Sequence, residues 1–273
     1  MSFITRYLPR KKMSQLIGRF VHWRGPNWWA ELSVQFFVWY YKINAAEAEL
    51  PLHLYPSIGD LFVRKLKAGM RPIAAAWALH PADSVITEHG RIFEGSLVQA
   101  KGIKYKVSEL LNDGNWKEKY EGGYWLTYYL CPTDYHRVHC PVTGWIQSAT
   151  LIPGDLWPVN NWSTREIPRL FAINERAVVE IATEHGPVAV VLVGATNVGS
   201  IELKFEPKLL GNKDQSFNRI NYNPAIEIKK GDELGLFRMG STVVVLYSED
   251  FRKSFEASLH LGPVVRVNSA LLK

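Results

Sequence analysis

The chain has 273 residues, 47% hydrophobic and 21% charged, which allows a sizeable core and excludes a disordered or low-complexity segment. A formal net charge of +6 directs attention to an anionic partner, and two cysteines, Cys131 and Cys140, exclude a disulfide framework and suit a reducing compartment. No apolar stretch reaches the ~18 residues a spanning helix requires, and the scattered basic residues at the N-terminus do not have the form of a signal peptide.

Residues 1–50 read as helical. Ile17, Phe20 and Val21 have helical spacing, Gly25-Pro26 interrupts, Trp28–Ile43 resumes the pattern, and Ala45–Glu49 continues it towards Pro51. Residues 1–24 carry Arg6, Arg10, Lys11, Lys12, Arg19 and Arg24 with no acidic residue, interleaved with aromatic and aliphatic side chains. Amphipathic helices of this kind suit the headgroup layer of an anionic membrane better than nucleic acid, at roughly 1 kcal/mol per basic residue near the surface. Ile58–Leu66 reads as one more short helix.

After Pro72 the texture becomes β-rich. Short runs at Val85–Thr87, Arg91–Gln99, Tyr124–Leu130, Gly144–Leu151, Ala177–Thr183, Val188–Val193, Gly199–Phe205, Thr242–Tyr247 and Val264–Val267 are separated by Gly/Pro punctuation. Glu206–Lys230 is polar and reads as a surface excursion. The expected fold is α+β: a helical region, 1–66, followed by a mainly antiparallel β domain, 67–273.

Three stretches could carry chemistry. Gly240-Ser241-Thr242 precedes the apolar run Val243–Tyr247, so an unhindered Gly-Ser bond stands at the mouth of a buried strand. Lacking a Cβ, Gly240 lets a serine hydroxyl approach its carbonyl; a plain turn before a strand reads the same way. Cys131–Pro141 holds His136 and His139 three residues apart between two prolines. A short turn there would put both imidazoles on one side, suited to two proton transfers near neutral pH. A zinc site built from Cys131, His136, His139 and Cys140 matches no defensible spacing, and no metal is expected. His80-Pro81-Ala82-Asp83-Ser84 offers an aspartate that could orient a histidine or cap a turn. Asp, His and Ser together have the roles of a hydrolase triad, but Met239 and Val243 stand where a nucleophile elbow needs glycines.

Blocks running in order along the chain carry a resemblance: Phe62-Val63-Arg64, Arg71-Pro72-Ile73, Pro81-Ala82-Asp83, Gln99-Ala100-Lys101-Gly102, Asp134–His139, Pro153-Gly154-Asp155-Leu156 with Val159-Asn160, Asn174-Glu175-Arg176, Val193–Thr196 with Val198–Ile201, and Gly240-Ser241-Thr242. The chain resembles bacterial phosphatidylserine decarboxylases of the membrane-associated, pyruvoyl-dependent type. It departs from the family's usual pattern in having Met239 for Leu and Ser84 for Gly.

The resemblance implies self-cleavage between Gly240 and Ser241, with Asp83 orienting His139 and His139 taking the Ser241 proton. Ser241 becomes a covalent pyruvoyl cofactor, and the two chains remain associated. It implies that His136 assists decarboxylation of phosphatidylserine to phosphatidylethanolamine and CO2, and that the chain is a peripheral protein on the cytoplasmic side of the inner membrane, its N-terminal helices placing the site at the headgroup level. A homodimer of the cleaved pair is also implied, with no role for nucleic acid.

Overall fold

A computed structural model describes residues 18–195, 201–209, 216–238, 241–255 and 261–272, without the side chains of Ser241, Phe255 and Leu272. Arg6, Arg10, Lys11, Lys12, Gly240 and the block Thr196–Ser200 lie outside the described residues.

Helix α1 spans Asn27–Tyr41 and α2 spans Ile58–Phe62. Then follow β1 (Ala78–Leu79), β2 (Ser84–Arg91), β3 (Ser96–Ala100), β4 (Ile103–Lys106), α3 (Val107–Leu111), α4 (Trp116–Tyr120), β5 (Tyr124–Leu130), β6 (Arg137–His139) and β7 (Gly144–Ile152). Helices α5 (Ser163–Glu166) and α6 (Leu170–Ile173) precede β8 (Arg176–Thr183), β9 (Gly186–Gly194), β10 (Ile201–Leu203), β11 (Asn218–Ile228), β12 (Glu233–Phe237) and β13 (Ser241–Tyr247). The chain continues through α7 (Glu249–Phe255), β14 (Val264–Val265) and β15 (Ala270–Leu272).

An eight-stranded antiparallel sheet, in the order β11-β7-β8-β9-β13-β5-β2-β14, forms the centre. Alternation along β13 explains the layers on either side of it. Val243, Val245 and Tyr247 enter one buried cluster with Val138 and Phe237, which belong to the three-stranded sheet β10-β12-β6. Val244 and Leu246 enter a second cluster with Leu110, Tyr120, Leu170 and Phe171 from the short helices. Both faces of β13 are therefore covered, which is why its sequence is a continuous apolar run rather than an alternating one. Each fully buried valine contributes on the order of 1.5–3 kcal/mol relative to exposure.

The α+β architecture and antiparallel core agree with the sequence reading, with several local corrections. Residues 206–230 are not all excursion, because Asn218–Ile228 is an edge strand paired with β7. Its outward face is polar, which hid the strand. Arg91–Gln99 is broken by a turn in which Glu94 and Gly95 have φ of 49° and 61°, so it belongs to two strands. The second N-terminal helix stops at Lys42, in the left-handed region at φ 55°, and two short turns of 3₁₀ helix follow, at Ala45–Glu47 and Leu52–Leu54.

The N-terminal region has its own small core of Val34, Ile43, Ala48, Tyr55 and Leu61. It is fastened to the β domain where Arg137 donates to the Val63 carbonyl through Nε and Nη2, at 3.0 and 2.8 Å. The face of α1 turned away from this core carries Trp28, Leu32, Phe36 and Trp39, with Trp39 72% exposed. Glu31 and Gln35 share this outward face, with Gln35 Nε2 donating to Glu31 Oε1 at 3.1 Å, so it is largely aromatic with a polar pair set into it. Phe20, Trp29, Leu32, Phe36, Tyr40 and Ile58 line an apolar groove of about 660 Å³. No helix among the described residues is long and apolar enough to cross a membrane.

Candidate active site

Ser241 is the first residue of β13 and pairs with Leu130 of β5 on one side and Gly194 of β9 on the other. The Gly194 carbonyl also accepts from Asn174 Nδ2 at 2.8 Å, which secures this end of β9. The backbone at position 241 is thus fixed inside the sheet, whereas β12, from which the chain connects to it, belongs to the three-stranded sheet. Arg238, the last described residue of that connection, donates from Nε to Glu202 at 2.6 Å.

His136 is brought to the same place by two connections. It lies in the loop that directly follows Leu130, the partner of Ser241, and its carbonyl accepts from the Phe237 amide at 3.1 Å. The loop is folded by Asp134, whose carboxylate accepts from the Cys131 amide at 2.8 Å while its own amide donates to the Cys131 carbonyl. Arg64 Nη2 donates to the Thr133 carbonyl at 3.0 Å. The imidazole is fully buried and stacks on Phe62, with ring centroids 3.9 Å apart.

A carbonyl can only accept, so the 2.9 Å contact between His136 Nε2 and the Cys131 carbonyl assigns the proton to Nε2 and the lone pair to Nδ1. Burial pushes the His136 pKa down to about 3. The ring is therefore neutral at physiological pH, a proton acceptor before it can be a donor.

His139 ends β6. By the same logic its Nδ1–H donates to the Gly231 carbonyl at 2.7 Å, leaving the Nε2 lone pair to accept from the Tyr135 hydroxyl at 3.2 Å. The two histidines are not on one helical turn: extended chain leads into β6, and residues three apart point to opposite sides of it.

Asp83, 1% exposed, makes no hydrogen bond to His139 among the described residues. Arg71 grips its carboxylate through Nε (3.0 and 3.1 Å) and Nη2 (2.6 Å), Arg266 Nη1 reaches Oδ2 at 3.1 Å, and the Val267 amide donates to Oδ1 at 2.8 Å. Charge-assisted bonds from two guanidinium groups hold the buried carboxylate in place of an imidazole. Asp83 still lies close to the histidine loop, because the His139 amide donates to the Pro81 carbonyl at 2.8 Å. Arg71 also donates to Glu47 at 2.8 Å, and its pKa is raised chiefly by the bonds to Asp83.

Sequence reasoning brought out Asp83, His136, His139 and Ser241 but missed the groups that orient them: Gly231, Tyr135, Phe62, Arg71 and Arg266. Phe62 and Arg71 stand in the quoted blocks, but nothing local marks them as partners of a histidine and an aspartate. No sequence signal points to the Gly231 carbonyl. The cysteines stay apart from this chemistry. Burial pushes the Cys131 thiol up to about 11 and the Cys140 thiol up to about 12, and Cys140 Sγ donates to the Val142 carbonyl. Among the described residues, no three His, Cys, Asp or Glu side chains are placed to hold a metal ion.

A family model described as phosphatidylserine decarboxylase matches residues 58–273. Curated relatives called phosphatidylserine decarboxylase proenzyme are similar along nearly the whole chain. The protein from Vibrio cholerae serotype O1 is 38% identical over 270 residues, covering 96% of this chain and 94% of its own. That from Methylobacillus flagellatus is 38% identical over 267 residues, covering 97% and 95%. That from Anaeromyxobacter sp. is 38% identical over 270 residues, covering 97% and 95%.

Proposed function

This chain belongs to the phosphatidylserine decarboxylase family and is a decarboxylase, and on that premise we propose that it makes its own pyruvoyl group by cutting itself ahead of Ser241. The observation that carries the reading is the placement of Ser241. It opens a strand paired on both sides, next to a loop that supplies one neutral buried imidazole, His136, and leads into β6, whose His139 carries an oriented lone pair. Position 241 suits the group, because pairing with Leu130 and Gly194 would hold a new chain terminus at the end of the sheet.

In the first reaction His139 Nε2 accepts the Ser241 hydroxyl proton. The serine oxygen attacks the Gly240 carbonyl and the carbon–nitrogen bond to Ser241 breaks, giving an ester. Loss of the Ser241 α-proton expels the Gly240 carboxylate, and hydrolysis releases ammonia. The Gly231 carbonyl orients His139. Asp83 contributes negative charge within range of Tyr135 and His136, and acts without a direct bond to His139.

The pyruvoyl carbonyl supplies an electrophile for the substrate amine and a sink for the electrons released with CO2. His136, with Nε2–H tied to Cys131, starts unprotonated; the proton it returns to the substrate carbon is one it first accepts. The aromatic outer face of α1 and the neighbouring groove support a peripheral site on the cytoplasmic face of the inner membrane, with phosphatidylserine presented from the bilayer and its acyl chains left there. We further propose that two cleaved pairs associate as a homodimer.

The test is intact mass measurement and denaturing electrophoresis of active protein. Two fragments meeting at Gly240/Ser241, the smaller with a blocked terminus, support the reading. Active protein that remains a single unbroken chain rejects it.

A further inference from the structure

Two of the motif blocks that the reaction leaves unused meet the cleavage block in one cleft. Gln99-Ala100-Lys101, Val159-Asn160 and Thr242 line a cavity of about 210 Å³ at the end of the sheet where Ser241 begins β13. Gln99 builds its wall: Nε2 donates to the carbonyls of Thr164 and Ile167, at 2.9 and 2.7 Å, and Oε1 accepts from the Leu170 amide at 2.7 Å. This ties the β3–β4 hairpin to the α5–α6 segment and sets Lys101 and Arg165 on the same rim.

Neither cation forms an ion pair among the described residues. Lys101 also occupies a costly position. With Gly102 it forms a two-residue hairpin turn in which both residues have positive φ, 46° and 80°. Turn chemistry favours Asn or Gly at the first of these sites, and a lysine there is strained. On the cleft wall Thr242, fully buried and one residue past Ser241, has a hydroxyl with no hydrogen-bond partner. Glu88 also lines the cleft, and burial raises its pKa.

We propose that this cleft is the headgroup subsite, in which Lys101 and Arg165 hold the phosphodiester of the lipid substrate. The proposal rests on the decarboxylase reading above and names the part of the substrate that is gripped. Chemistry selects the phosphodiester over the carboxylate. The carboxylate must give up its electrons as CO2 leaves, and a cation paired with it would stabilise the ground state and slow the reaction. The phosphodiester keeps its charge throughout, so cations on it bind ground state and transition state equally.

The experiment measures steady-state decarboxylation of dihexanoyl phosphatidylserine in uncharged detergent micelles, for wild type, Lys101→Gln, Arg165→Gln, the double variant, and Lys117→Gln as a charge-matched control on an exposed helix. Processing is read in parallel by denaturing electrophoresis. The expected result is complete processing, KM raised about tenfold by each single change and more by the double, kcat within about threefold, and Lys117→Gln like wild type.

Glycerol 3-phosphate, which has no amine, should compete with substrate in the wild type, whereas acetate should not; this arm stands even if a variant fails to fold. Unchanged KM in both single variants, a fall in kcat without a rise in KM, or no competition by glycerol 3-phosphate overturns the subsite. Wild-type protein that decarboxylates without processing leaves the subsite measurable and overturns the self-cleavage reading instead.

Discussion

Acid should destabilise this protein through His136 in particular. The ring has an ordinary pKa near 6.5 when unfolded, and burial holds it at about 3 in the fold. A histidine with a depressed folded pKa contributes nothing to pH dependence above 6.5, where both states are neutral. Below 6.5 the unfolded chain takes up a proton that the folded chain refuses, so stability falls with pH until about 3. The slope is roughly 1.36 kcal/mol per pH unit, which gives about 2 kcal/mol lost by pH 5 and about 5 kcal/mol across the window.

The assay is urea unfolding at pH 7 and pH 5 in a Ser241→Ala background, which keeps the polypeptide in one piece, with and without His136→Gln. Glutamine cannot take up the proton, so groups that titrate equally in both proteins cancel from the comparison. The background protein should lose about 2 kcal/mol more than the glutamine variant on going from pH 7 to pH 5. Equal losses in the two proteins would show that the imidazole is not held neutral by burial, and the argument that His136 begins as a proton acceptor would fail with it.

Other substitutions separate the remaining roles. His139→Ala should leave the protein folded but uncut, whereas His136→Ala should cut and then retain little decarboxylation; equal loss of cutting in both, read by denaturing electrophoresis, would defeat the division of labour. Arg71→Ala leaves the buried Asp83 carboxylate with Arg266 and one amide and should cost about 3 kcal/mol in chemical denaturation. Val244→Ala removes fully buried methyl groups from the middle of the sheet and should cost about 2 kcal/mol in the same measurement. Paired Trp28→Ser and Trp39→Ser changes should weaken sedimentation with anionic vesicles severalfold while leaving turnover of a short-chain substrate near wild type.

The sequence was most informative where one physical requirement governs a whole stretch. A strand covered on both faces must be continuously apolar, and Val243–Leu246 announced itself that way. Asn218–Ile228 was obscured because an edge strand satisfies its ladder on one side only and can be polar on its other face. Within the site, residue types that carry protons were visible and their neighbours were not. Gly231 acts through a carbonyl that every residue possesses, and Phe62 meets His136 across 74 positions of chain. The Asp83 prediction shows the limit of reasoning from roles: an aspartate close to a histidine was anticipated, but two guanidinium groups, one of them 183 residues away, engage it first.

Asp83 also links the two sides of the proposed break, since Arg266 and Val267 belong to the segment that would be severed from the rest. That segment contributes β13, the fifth strand of eight. In a molecule cut ahead of Ser241, melting the sheet would release two pieces whose reunion depends on concentration, and whose lost peptide bond has no route to re-form. Assembly would then happen once per molecule, and only chains that had already threaded β13 between its neighbours would gain the carbonyl. Misassembled copies would remain inert serine-bearing precursors, so the proposed break would double as a proofreading step for the fold.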